Sequence, residues 1–403
     1  MNSTPRRPKI LLVSSVPTTL WAFYRRMPET ASQWGIDLGI ASSPERELDD
    51  FADQLGVTTH PVAITRAVSP WADLRAIARL CRIIRRHRYD LVHAFTPKGG
   101  LVGMLAAALA GAPCKVYSMI GLPAETATGI LRKLLVTSER TACHFAQAVL
   151  ANGPSLQTVI SEMGICQVPK MRVLGDGSCC GIKLDRFRRT PERVDAGRCL
   201  RRDLGIPEGA PVIGYVGRLV YDKGIHVLVD AFEALDDRRP PPHLLLLGSF
   251  EPHRGRLPPH TLDRIQDHPR IHHREFDWDP VPYYGAMDIV TLLTYREGFG
   301  IALLEAGCME LPAVATRATG SIDAVVDGQT GILVDIEDVD GTRSALVRLL
   351  DDPDLRRKMG RSARLRVEAQ FSDDRLLAEH FRLYAALLAK NTNCAAVGPP
   401  SSA

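Results

Sequence analysis

Residues 212–232 read VIGYVGRLVYDKGIHVLVDAF, and this stretch decides the fold. An aliphatic run of strand length, Val212–Val216, gives way to Gly217-Arg218; the turn closes at Lys223-Gly224, and Ile225, Leu228, Val229 and Phe232 then recur at helical spacing. Strand, turn and helix in that order make one unit of a parallel α/β layer. The same rhythm continues downstream, with strands expected at 243–247, 271–275, 289–293, 313–315 and 331–334, and upstream at 10–13, 38–41, 58–61, 91–94, 115–118, 148–151 and 171–174. One fold therefore occurs twice, as two Rossmann-like halves. The glycine-rich 175–181 and the charged 183–192 read as hinge and linker between them. The expected division is 1–182, 183–372, a C-terminal helix 373–390 that crosses back to the first domain, and a disordered tail 391–403. In open parallel sheets, ligands sit beyond the carboxyl ends of the strands, so two such domains facing each other aim their sites into a shared cleft.

The composition suits that reading. With 403 residues, 45% hydrophobic and 24% charged, and a net charge of +4, the chain has enough apolar material for two cores and is not disordered. No apolar run reaches the ~20 residues of a membrane span, since the best candidate, 101–110, meets Gly111 and Pro113. The N-terminal MNSTPRRPK lacks the long apolar stretch and small-residue cleavage site of a signal peptide, and a cytoplasmic address is expected. Nine scattered cysteines without a C-x-x-C pair, and twelve histidines without ligand spacing, give no disulfide framework and no metal. No nucleic acid is expected among the partners.

Two cations bracket the turn after Val216. Arg218, Lys223, the backbone N–H groups of the following helix and its dipole together suit a diphosphate; the plain alternative is a solvated basic turn. The second signal is 295–306, YREGFGIALLEA, where Glu297 lies on a loop and Glu305 one turn into a helix. Both carboxylates can accept hydrogen bonds from sugar hydroxyls. Glu305 is the more telling of the two, because it lies between Leu304 and Ala306 where an unpaired charge is costly.

Taken with 90–100 (DLVHAFTPKGG), 121–123 (GLP), 184–187 (LDRF), 282–288 (PYYGAMD) and 327–331 (DGQTG), these motifs resemble the retaining nucleotide-sugar glycosyltransferases of family 4, with their two-Rossmann GT-B fold. The likeness runs over nearly the whole chain and is closest to the branch that assembles lipid-linked or capsular polysaccharides. It implies that Arg218 and Lys223 bind the donor diphosphate and stabilise the leaving group, that Glu305 holds the ribose, and that Glu297 contacts the donor sugar. It places Gly217, Phe299, Gly300, Ile301 and Leu304 at the donor, and the base near 248–251 (GSFE) and 276–278 (FDW). It implies no cofactor, the nucleotide sugar being a substrate, and no metal, since the two cations do the neutralising.

The first half is expected to receive the acceptor. After the first strand come residues 14–23, SSVPTTLWAF, read as a loop where many relatives carry glycines. That departure removes the G-x-G-x-x-G turn a nicotinamide dehydrogenase needs. Thr18, Thr19, Thr96, Lys98 and Glu125 are the acceptor-side candidates. Where many relatives have a donor-orienting histidine, this chain has Ile120; His93 lies inside a strand, where a satisfied core histidine is the plainer reading. The segment 71–88 reads as a helix with Leu74, Ile77, Cys81 and Ile84 on one stripe and Arg75, Arg79, Arg82 and Arg86 on another. The arginine stripe suits an anionic membrane surface at the inner face of the plasma membrane, or an ordinary solvated face. The leading expectation is transfer of a hexose or N-acetylhexosamine, UDP-linked by preference, to a polyprenyl-diphosphate-linked saccharide. A soluble natural-product acceptor and a non-catalytic sugar-nucleotide sensor are the alternatives.

Overall fold

The computed structural model describes residues 6–67, 69–253 and 255–399; the first five residues and the last four of the tail lie outside it. The chain forms two units, one ending at Gly181 and resuming at Asp374, the other spanning Ile182–Asp373. In the first, β1 (Lys9–Ser14), β2 (Asp37–Ser42), β3 (Thr58–Pro61), β4 (Leu91–Phe95), β5 (Cys114–Met119), β6 (Ala148–Ala151) and β7 (Met171–Arg172) form a parallel sheet in the order β3-β2-β1-β4-β5-β6-β7. The second has β8 (Val212–Val216), β9 (His243–Leu247), β10 (Ile271–Arg274), β11 (Ile289–Leu292), β12 (Ala313–Thr316) and β13 (Gly331–Val334), also parallel, in the order β10-β9-β8-β11-β12-β13. Both are doubly wound α/β sheets whose strand order reverses between two central strands, β1 and β4 in one and β8 and β11 in the other.

The central strands are apolar on both faces because helices cover both, as a parallel sheet requires. Ile10, Leu11, Leu12 and Val13 are all buried, as are Leu244 to Leu247. The strand expected at 171–174 is shorter: β7 is an edge strand whose only register partners are Val149 and Leu150, so its ladder ends at Arg172.

The C-terminal helix, Asp373–Asn391, returns to the first unit. There Tyr384 shares a 2.5 Å hydrogen bond with His93 Nδ1, Phe381 packs on Trp34, and Arg375 pairs with Asp176 at 3.2 Å. The segment after Asn391 was expected to be disordered; in its described part the Ala395 N–H donates to the Arg6 carbonyl at 3.1 Å, which ties it to the start of the first sheet. No helix among the described residues is long and apolar enough to cross a membrane.

Candidate active site

The turn after β8 is held by backbone approach. Gly217 donates its N–H to the Leu247 carbonyl at 2.9 Å, and a Cβ on Gly248 would stand 1.8 Å from the Gly217 carbonyl oxygen, so the turns after β8 and β9 touch main chain to main chain. Gly224, at φ +65, closes the turn in the left-handed region, and a Cβ there would stand 2.0 Å from the Leu293 carbonyl oxygen. The cation-bearing turn is thereby pressed onto the end of β11, at the point where the strand order reverses.

That contact brings two of the sequence candidates together. Lys223 is 8% exposed, and its ammonium donates to Glu297 Oε1 while lying 3.5 Å from Thr294 Oγ1. Its pairing with a carboxylate is what lets an ammonium sit so deep. Glu297 is fixed from the other side, since its N–H donates to the Thr319 carbonyl at 2.9 Å. Arg218 is more open: its guanidinium lies 3.5 Å from Glu251, while its carbonyl accepts from the Tyr215 hydroxyl at 2.8 Å. Burial drives the Tyr215 phenol well above its ordinary pKa; the charges of Glu297 and Asp222 add to the rise and that of Arg218 opposes it. Tyr215 thus lies within reach of the charges of Glu297, Asp222 and Arg218.

Glu305 stands in a second cluster. Gly300, at φ +80, starts the helix Ile301–Cys308, and Phe299 is buried against Phe371, anchoring the loop that presents the helix start. The half-buried Glu305 accepts a hydrogen bond from the Tyr284 hydroxyl at 2.8 Å. Burial pushes its carboxyl up to about 7, against the opposing effects of the Tyr284 bond and the Arg186 charge. It is not a freely solvated helix residue. The structure gives no direct contact between Glu305 and the Lys223–Glu297 pair. Near the segments expected to hold the base, Phe276 and Trp278 lie edge to face at 5.0 Å and are exposed, and Phe250 packs on His273.

Tyr284, Tyr215 and Thr294 were missed by sequence reasoning. Tyr284 lay within a motif already noted, and its role becomes visible only when the short helix Val281–Gly285 is set beside the helix of Glu305.

In the first unit the expected loop 14–23 is mostly helix. Strand β1 ends at Ser14, and the helix Pro17–Tyr24 begins three residues later, started by a proline at its first position and anchored by buried Leu20 and Tyr24. Thr18 and Thr19 lie in its first turn, and Thr18 donates to Glu47 at 3.0 Å. Thr96 follows β4 at φ +66, ψ +150, a conformation costly for a β-branched residue, and its hydroxyl lies 2.9 Å from that of Ser15. This joins the loops after β1 and β4, the equivalents of those that carry Arg218 and Glu297. Lys98 is committed to Asp73 in a largely buried pair at 2.5 Å. Glu125 is half-buried in the short turn Pro123–Glu125. Ile120, in the histidine position, accepts a hydrogen bond at its carbonyl from Asn152 at 3.2 Å. His93 is fully buried with both ring nitrogens engaged, by Tyr384 and Ser118.

The helix expected at 71–88 is Pro70–His87. Its buried side is Ala76, Leu80 and Ile84, with Ile77 and Cys81 half-buried, and Leu74 is 56% exposed instead of in the core stripe. Arg75, Arg79, Arg82 and Arg86 are all exposed. At 100° per residue they fall within a narrow sector of the helix.

Comparison with known proteins agrees with this architecture. Residues 19–177 match the model of a glycosyl transferase 4-like domain, and residues 198–366 match that of glycosyl transferases group 1. The capsular polysaccharide biosynthesis glycosyltransferase CapM of Staphylococcus aureus is 30% identical over 349 residues, covering 87% of this chain and 90% of the relative. An Escherichia coli UDP-Gal:alpha-D-GlcNAc-diphosphoundecaprenol alpha-1,3-galactosyltransferase is 23% identical, covering 79% of this chain and 81% of its own length. Among solved structures, Anabaena Alr3699/HepE in complex with UDP and glucose superposes with a TM-score of 0.75 at 20% identity, over 95% of this chain and all of the other. Fold and relatives define a nucleotide-sugar glycosyltransferase of GT-B architecture. The chain belongs to the glycosyltransferase family 4 group, in which a 4-like domain precedes a group 1 domain.

Proposed function

We propose that this chain transfers a hexose or N-acetylhexosamine from a UDP-sugar, with retention at the anomeric carbon, to a saccharide carried on a polyprenyl diphosphate. The observation that carries this reading is the buried Lys223, paired with Glu297 where the strand order reverses, with Arg218 on the same turn. Arg218 and Lys223 take the donor diphosphate, and the helix start at Ile301 offers further N–H groups. Glu297, already oriented by Lys223, accepts from sugar hydroxyls, and Glu305 accepts from the ribose. The acceptor oxygen attacks the anomeric carbon, the bond from that carbon to the β-phosphate oxygen breaks, and the acceptor proton passes to the departing phosphate oxygen. The two cations stabilise the charge that builds on the leaving diphosphate, which is the part a divalent ion would otherwise play. Gly217, Phe299, Gly300 and Leu304 shape this donor side, and Thr18, Thr19, Thr96 and Glu125 face the acceptor.

The relatives support the choice of substrates: UDP-Gal and a diphosphoundecaprenol-linked sugar for the E. coli enzyme, and UDP with glucose for the Anabaena protein. A lipid-linked acceptor calls for a protein lying on the inner face of the plasma membrane. Arg75, Arg79, Arg82 and Arg86 supply the charge for this, and Trp71, 78% exposed, and Leu74 on the same helix supply apolar contact.

A panel of nucleotide sugars offered with a polyprenyl-diphosphate-linked acceptor, the product's anomeric configuration read by NMR, tests the reading. Transfer from a UDP-sugar with retention, undiminished by EDTA, is the expected result; inversion, or turnover only with soluble acceptors, overturns it. Sedimentation with anionic vesicles, lost when the four arginines become Gln and at raised salt, tests the membrane placement. No sedimentation of the wild type at low salt would make the soluble-acceptor alternative the better one.

A further inference from the structure

The second unit has another charged cavity at the opposite end of its sheet. About 450 Å³ in volume, it is lined by Arg189, Arg198, Arg201, Arg356, Arg357 and Arg361. Its floor includes Asp288, immediately before β11, and Leu311, just before β12, so it faces the amino ends of the strands whose carboxyl ends carry the donor loops. The two acidic residues in its lining are already engaged: Asp288 accepts from Arg201 and from the Val212 N–H, both at 2.8 Å, and Glu310 accepts from Arg364 at 2.7 Å. Arg201 is thereby a structural member of the wall.

The other five guanidinium groups have little to neutralise them. Arg189 and Arg356 reach only backbone carbonyls, of Met309 at 3.4 Å and of Leu349 at 3.0 Å. Arg198 and Arg357 pair with Asp195 and Asp354 one turn away on their own helices, in exposed contacts worth little. Arg361 makes no hydrogen bond or ion pair among the described residues. Like charges gathered around a concavity repel one another, and an anion that enters relieves the repulsion and meets several planar forks at once. The volume is that of a small-molecule site.

We infer that this cavity is a second anion site, distinct from the donor site, that binds an oligophosphate of at least two phosphoryl groups. The phosphate can be free or carried on a lipid, and the two sources are separable by experiment. Isothermal titration with inorganic pyrophosphate is to be run on the wild type, on R218A/K223A, which lacks the donor cations, and on R356Q/R361Q, which leaves them in place. We expect the donor variant to keep one pyrophosphate site and R356Q/R361Q to lose that same site, with affinity falling at least tenfold and circular dichroism unchanged. A single site that vanishes in R218A/K223A and is intact in R356Q/R361Q excludes free diphosphate as the occupant of the cavity. If pyrophosphate fails to bind the cavity, vesicles containing diacylglycerol pyrophosphate, a diphosphate carried on a lipid, form the second arm. Binding of them that R356Q/R361Q abolishes assigns the cavity to a lipid phosphate, and binding that it leaves unchanged, or none, overturns the proposal.

Discussion

The two sheets have the same strand order through their first six strands, yet their reversal points are built differently. After β8 and β11 the second unit places a lysine, an arginine and a carboxylate on turns locked by main-chain contact. After β1 and β4 the first places hydroxyls, Ser15 against Thr96, with the nearby lysine already spent on Asp73. Strand order fixes where a ligand can lie, and the turn residues decide which ligand. A charged turn suits a diphosphate and a hydroxyl-lined one suits a sugar, which is why we propose the second unit for the donor and the first for the acceptor.

The largest effect on turnover is expected from removing the charges that set the two points apart. Lys223→Ala and Arg218→Ala should each cost roughly 10²-fold or more in kcat with the fold retained, through loss of a charge-assisted contact to the leaving group. Lys98→Ala, at the corresponding region of the first sheet, should cost far less. Equal losses at Lys98 and Lys223 in steady-state assays would erase the contrast.

A smaller loss should follow from disturbing the turn's support. Gly248→Ala puts a Cβ against the Gly217 carbonyl and should destabilise the protein by about 1–3 kcal/mol, with weaker nucleotide binding as the Arg218 turn shifts. A thermal melt and a UDP titration read the two effects separately. An unchanged melting temperature would mean that the turns after β8 and β9 do not depend on each other.

Tyr284→Phe is the next step down. It removes a hydrogen bond that opposes the burial holding the Glu305 carboxyl at about 7, so the group should titrate higher still. The carboxylate is the better acceptor for ribose hydroxyls, so affinity for uridine, which has no titrating phosphate, should rise with pH through about 7 in the wild type. In Tyr284→Phe the rise should move to higher pH, with affinity near neutrality reduced by about 0.5–1.5 kcal/mol. Glu305→Gln should flatten the profile. A flat wild-type profile in calorimetry would remove Glu305 from the ribose.

The strands were legible because both sheets are covered on two faces, which writes each strand as an apolar run, and the segments after two of the runs offered Arg218, Lys223, Glu297 and Glu305 as candidates, of which the structure pairs Lys223 with Glu297. Contacts between distant segments were not legible. Tyr284 reaches Glu305 only through helix packing, and the Ser15–Thr96 bond exists only because β1 and β4 are neighbours. The helix at Pro17–Tyr24 was read as a loop because its Val-Pro-Thr-Thr start looks like a turn; the Leu20 and Tyr24 spacing that anchors it covers a single turn of helix. In the helix Pro70–His87 the expected stripe holds at Ile84 but shifts to Ala76 and Leu80 in place of Ile77 and Cys81, because Ala76, small and easily passed over, is buried where Leu74 is not.

The smallest effect on turnover is expected at a buried pair in the first unit that mirrors Tyr284 and Glu305. Glu139 is 1% exposed, accepts from the Tyr117 hydroxyl at 2.7 Å, and leaves Oε1 without a partner. Burial raises its carboxyl to about 7, although the Tyr117 bond opposes the rise. The two carboxylates titrate alike, but only Glu305 is proposed for the donor site. For Glu139 the consequence falls on stability. Its folded pKa lies above the unfolded value of about 4.5, so between those values the native state holds a proton that the unfolded chain releases. Its contribution is therefore fully present below about pH 4.5 and falls as pH rises, levelling off above about 7. Glu139→Gln imitates the protonated form, so denaturant melts across that window should lose this component of the slope while turnover at pH 7 is unchanged. If the variant's stability falls with pH as steeply as the wild type's, Glu139 is not the group responsible; if its turnover drops as far as that of Glu305→Gln, the two carboxylates do not divide between fold and site.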